Sequence, residues 1–98
     1  MSVQIANVFQ AYGSVSGAGV RVSGAGFTVR RTLNGVYFIR LDQETSGDEC
    51  ACLATLRGSA GFPIIEQFSD REKIVYTLDE TGTAFDAAFD FLVLRTPS

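Results

Sequence analysis

The sequence predicts an all-β protein, an antiparallel β-sandwich or barrel, on three observations. No segment of a dozen residues carries the 3.6-residue period of an amphipathic helix. Short alternating runs recur at intervals of roughly ten residues, each bounded by Gly, Asp or Ser turns, as in antiparallel sandwiches. One stretch, FTVRRTLNGVYFIRLD from Phe27 to Asp42, reads as a complete hairpin to which the other strands are added.

The hairpin register follows from which side chains must share a face. A two-residue Asn34-Gly35 loop places Phe27 and Val29 with Val36, Phe38 and Arg40, leaving Tyr37, Ile39 and Leu41 on a polar side. A three-residue loop, Leu33-Asn34-Gly35, with Gly35 left-handed as a G1 bulge, shifts the pairing by one residue and flips the faces. Phe27 then opposes Leu41, Val29 opposes Ile39 and Arg31 opposes Tyr37. This register is expected. Phe38 is left among Thr28, Arg30 and Arg40, either stacked on an arginine at the solvent edge or facing another subunit.

The remaining strands follow in order. A first strand is expected around Val3 to Gln10, then a glycine-rich segment with a short strand at Val20 to Ser23, since Gly in a strand marks a bulge or close backbone approach. Cys50 to Arg57 is apolar or small on both sides and is expected as a central strand. Gly61 to Phe68 contains Pro63, which cannot donate to a ladder, so an edge strand or ordered loop is expected there. Lys73 to Asp79 alternates, with Ile74, Tyr76 and Leu78 expected inward and Lys73, Val75 and Thr77 outward. The closing strand, Phe89 to Arg95, is apolar on both faces and expected to be buried on both. Seven or eight strands fit one domain spanning residues 1–98, with 1–24 as an N-terminal strand and glycine-rich segment and 25–95 as the core.

Composition excludes several functions. Net charge is −3 with scattered Lys and Arg, so no phosphate-facing basic stripe is expected and nucleic acid is not an expected partner. No apolar run reaches the ~18 residues of a membrane helix, so no membrane insertion is expected. The N-terminus lacks a basic n-region and apolar core, so no secretory signal is expected and synthesis in the cytoplasm is.

Catalytic chemistry has little to work with. The chain has no histidine, and no Ser or Cys has a partner that would activate it. The carboxylates Asp48/Glu49, Asp79/Glu80, Asp86 and Asp90 fall in or beside turns, where acidic residues serve turn geometry. Cys50 and Cys52 point to one face of a strand, badly placed for a mutual disulfide and without further Cys or His as metal partners. They read as two small apolar residues. No enzyme activity, cofactor or metal is expected. What stands out is an excess of aromatics, Tyr37, Phe38, Phe62, Phe68, Phe85, Phe89 and Phe91, on strands apolar on both faces. Since a monomeric antiparallel sheet ordinarily keeps one polar face, oligomerisation is expected.

The run GFTVRRTLNGVYFIRLD, then ECACLATL, then KIVYTLDETGTAFDAAFDFLVLR resembles the trimeric β-sandwich tip domains of phage tail fibres and bacterial collagen-like fibre proteins. The matching positions are Gly35, Tyr37, Ile39 and Leu41; Cys50; and Val75, Thr77, Asp79, Gly82, Asp86, Phe89, Phe91 and Val93, across roughly residues 25–95. The resemblance implies a jelly-roll-like sandwich and a homotrimer, with Phe38, Phe85, Phe89, Phe91 and Val93 at the subunit interface. It also implies a structural or adhesive role on a virion or phage-like particle surface, as a fibre tip or decoration protein, with a particle or shaft protein or a cell-surface glycan as partner. Receptor-facing positions are expected at Glu44, Asp48, Glu49 and Phe62, because binding commonly sits on loops of a rigid scaffold. The rival expectation is a small-ligand or glycan-binding module with a pocket between the sheets lined by Tyr37 and Tyr76.

Overall fold

The computed structural model describes residues 9–43 and 50–95. Eight strands form two antiparallel four-stranded sheets packed face to face. The first sheet holds β1 (Phe9–Val15), β2 (Arg21–Ala25), β5 (Cys50–Leu56) and β8 (Phe89–Arg95) in the order β2-β1-β8-β5. The second holds β3 (Phe27–Leu33), β4 (Val36–Leu41), β6 (Phe62–Gln67) and β7 (Glu72–Leu78) in the order β3-β4-β7-β6. The first and last described strands pair, and β4 pairs β7, so each sheet joins strands far apart in the sequence.

The central hairpin has the expected pairing of Phe27 with Leu41, Val29 with Ile39 and Arg31 with Tyr37, but Leu33, expected in a three-residue loop, pairs with Val36. The turn is Asn34-Gly35, and a bulge between Arg31 and Leu33 makes the one-residue shift that buries Tyr37, Ile39 and Leu41. Gly35 takes φ +69°, and a Cβ there would lie 2.7 Å from the Phe85 amide nitrogen, so glycine is required for both conformation and space. Phe27, Tyr37, Ile39 and Leu41 are consequently buried, together with Ala11, Val15, Val75, Phe89, Phe91 and Val93. Edge-to-face contacts lock the two sheets, Phe27 on Phe91 at 4.6 Å and Tyr37 on Phe89 at 5.0 Å between centroids.

Three expectations about strands are corrected. The first described strand runs Phe9–Val15, through a segment read as the start of the glycine-rich connection; the expected Val3 to Phe9 portion lies mostly outside the described residues. Gly13 permits this course, since a Cβ on it would meet the Ser23 carbonyl at 2.4 Å and the Phe27 ring at 2.6 Å. Cys50–Leu56 is an edge strand, not a central one: β8 occupies the centre, and the apolar second face of β5 is exposed. On β7 the faces are reversed. Lys73, Val75 and Thr77 point inward because Ile39 and Tyr37 of β4 pair with Lys73 and Val75, while Ile74, Tyr76 and Leu78 lie on the outer side. β6 is an edge strand, as Pro63 requires.

Candidate functional site

The turn carboxylates are engaged in holding the fold. Asp86 Oδ1 accepts hydrogen bonds from Arg31 Nε and from the Gly35 amide, both at 2.8 Å, which ties the β7–β8 connection to the tip of the β3–β4 hairpin. The Arg31 guanidinium, and next the Gly35 amide, hold the Asp86 carboxyl below its ordinary range. Asp79 Oδ1 accepts from the Thr81 hydroxyl at 2.7 Å and the Thr81 and Thr83 amides at 2.9 and 3.0 Å, closing an Asx-type turn. These bonds, the Thr81 hydroxyl first, lower its pKa as well. Asp90 accepts from Ser14 and Arg57. Among the described residues no three metal-binding side chains converge, and no helix is long and apolar enough to cross a membrane.

The expected interface residues do not form one surface. Phe89, Phe91 and Val93 fill the core of their own chain, packed against the other sheet, and so are not available to a second subunit. Their alternation, read as one face of an interface strand, is the inner face of the central strand β8. Phe85 is half-buried in the β7–β8 connection, where its amide donates to Thr77. Phe38 lies on the outer face of the second sheet with the Arg30 guanidinium 5.4 Å from its ring and Phe68 edge-on at 5.4 Å. Its oddity among arginines is thereby explained by a cation–π contact. Phe62 opens β6 with its side chain exposed. Glu44, Asp48 and Glu49 lie outside the described residues. Tyr37 is buried and Tyr76 stands on the opposite side of the second sheet, so the two do not line a common pocket.

The apolar excess instead appears on the outer faces. On the first sheet Tyr12, Leu92 and Leu53 sit opposite one another across β1, β8 and β5, flanked by the Leu94–Ala51 pair. Tyr12 is 52% and Leu53 62% exposed. A row of large apolar side chains across three adjacent strands is the kind of patch that marks an interaction surface. Its signal in the sequence is that β5 and β8 are apolar on both faces, with the bulkier phenylalanines of β8 on the inner one. On the second sheet the β6 margin exposes Phe62 and Ile64, and Phe68 follows it. Beside them Thr28, Arg30, Phe38, Arg40 and Glu72 line an open depression of about 330 Å³, with Arg40 4.0 Å from Glu72.

Compared with protein-family models, with curated proteins and with solved structures, the chain matches none.

Proposed function

We propose that this protein is non-enzymatic and works by association, as a structural or adhesive component of a virion or phage-like particle, a fibre tip or surface decoration protein assembled as a homotrimer. The single observation that carries this reading is the row Tyr12, Leu92 and Leu53 on the outer face of the first sheet, half-buried at Leu92 and exposed at both ends. Covering such a row removes apolar surface from water at roughly 25 cal/mol per Å². A closed ring of three needs two different patches on each chain. The β6 margin with Phe62 and Ile64 on the outer face of the second sheet supplies a second, and β5 lies against β6, so the two patches, on opposite faces, approach the same edge of the sandwich. The likeness of the hairpin and closing strands to fibre-tip domains supplies the particle context.

Light scattering behind a sizing column, at two well-separated concentrations, tests it. The expected mass is three times the 10.6 kDa chain, and Leu53→Glu, a change at an exposed position, returns the protein to a monomer with unaltered circular dichroism. A wild-type chain that stays monomeric overturns the proposal.

A second reading, a glycan- or small-ligand-binding module, is favoured by the depression beside Phe38, where an aromatic ring and two guanidinium groups border one open volume. Stacking on an aromatic face with charged hydrogen bonds at its rim suits a carboxylated sugar. Amide resonances of Thr28, Phe38 and Arg40 that shift with such a sugar, and not in Phe38→Ala, would support it. A panel of sugars that shifts none sinks it.

A further inference from the structure

Cys50 and Cys52, two residues apart on β5, both turn toward the interior, where each is half-buried. Lys73 reaches the same place from β7 of the other sheet. It is only 1% exposed, and its Nζ donates to Cys50 Sγ at 3.5 Å. Among the described residues its ammonium has no carboxylate partner. A buried amine whose acceptor is a single sulfur is poorly compensated, because burial removes hydration that one weak acceptor does not replace. Side chains two residues apart on a strand share a face, so Cys52 stands on the same side of β5 as Cys50, the side from which Lys73 arrives. Two sulfurs and one buried cation thus share one small space that bridges the sheets.

We propose that Cys50 and Cys52 bind a single Cu(I) ion through their sulfurs, with Lys73 as the counter-charge. Binding replaces two S–H bonds by two S–Cu bonds: Cu⁺ and two thiols give a copper bis-thiolate of charge −1 and release two protons. The ammonium of Lys73 then neutralises the complex, and the buried lysine gains an anion that no described residue supplies. Soft thiolate donors select Cu(I). Structural zinc requires four ligands, and no third donor joins this pair among the described residues. The site lies inside the sandwich, so it neither depends on the association proposed above nor competes with it.

The test is anaerobic titration of the fully reduced protein with Cu(I) against a chromogenic Cu(I) chelator. One copper per chain and two protons released per copper are expected, with X-ray absorption showing an all-sulfur, two-coordinate metal. Cys50→Ser and Cys52→Ala should each abolish binding. Lys73→Met, which keeps the volume and removes the charge, should retain the one-to-one stoichiometry with affinity lowered about 10–100-fold, as for other residues that support metal ligands. Circular dichroism confirms that each variant is folded, and the wild-type absorption spectrum decides the case if one is not. Full binding by either cysteine variant, unchanged affinity in Lys73→Met, or nitrogen or oxygen ligands at the copper overturns the proposal.

Discussion

The phenol of Tyr37 donates a 2.8 Å hydrogen bond to the carbonyl of Gly17, a residue of the β1–β2 connection, and accepts one of 3.2 Å from the amide of Ala87. One buried hydroxyl on the second sheet thereby satisfies backbone groups of two connections that meet at the same end of the first sheet. Burial is the leading cause that pushes the phenol above its ordinary pKa. Tyr37→Phe keeps the ring against Phe89 but leaves a buried donor and acceptor unpaired. A loss of about 1–3 kcal/mol is expected, read from the shift of the urea midpoint at constant m-value. A loss below a few tenths would mean that water replaces the phenol.

Asp86 makes the joint between hairpin tip and β7–β8 connection pH-dependent. Its pKa is lower in the folded protein than in the unfolded chain, chiefly through Arg31 and then the Gly35 amide. The stabilisation is therefore fully present above the ordinary carboxylate range and is lost as pH falls through the depressed folded-state value. Asp86→Asn should be less stable than wild type at neutral pH, with the difference shrinking steadily below about pH 4. A gap that stays constant into acid would show that the carboxylate charge is irrelevant.

The hairpin was legible because its information is local. Gly35 marks the turn, and the period-2 pattern of Phe27, Val29, Ile39 and Leu41 admits one register that buries them together, although the bulge that produces it lies in β3 and not, as expected, in the loop. The orientation of β7 was not legible, because Ile74, Tyr76 and Leu78 are as apolar as the Val75 face. What decides between them is pairing with β4, a partner more than thirty residues away, which brings Lys73 inside. Apolarity on both faces likewise does not separate a central strand from an edge strand with an exposed apolar side, and β8 and β5 are one of each. The same ambiguity moved the candidate association face. Phe89, Phe91 and Val93 lie inside, while the outer-face row belongs to Leu92, which is half-buried, and to the exposed Leu53 and Tyr12.

Two glycines with similar backbone angles separate conformational strain from steric contact. Gly35 and Gly82 have φ of +69° and +86°, and a Cβ on Gly82 meets nothing within 4 Å, whereas one on Gly35 meets backbone atoms of Phe85 and Thr77 below 3 Å. Gly82→Ala should cost about 1–2 kcal/mol for the left-handed conformation alone. Gly35→Ala pays the same and must also push apart the β4–β7 end of the sheet, so it should cost clearly more. Thermal or urea unfolding of the two variants side by side measures the difference. Equal losses would mean that the hairpin tip relaxes freely away from Phe85.

Cys52 is the slower thiol to modify in the metal-free protein. Loss of water first, and the neighbouring Cys50 next, push its pKa up to about 11, against a weaker opposing pull from Lys73. Alkylation proceeds through the thiolate, so at pH 8 Cys52 should react with iodoacetamide far more slowly than a small-molecule thiol, and its rate should still be climbing at pH 10. In Cys50→Ser the neighbouring thiol is gone while burial remains, so the rate–pH curve should move part of the way back toward lower pH. Mass spectrometry of peptides containing residue 52 follows both, with circular dichroism confirming that the sandwich stays folded across the series. Labelling of Cys52 at pH 8 as fast as that of the small-molecule thiol would show that β5 exposes this side to solvent, and the half-buried edge described above would be wrong.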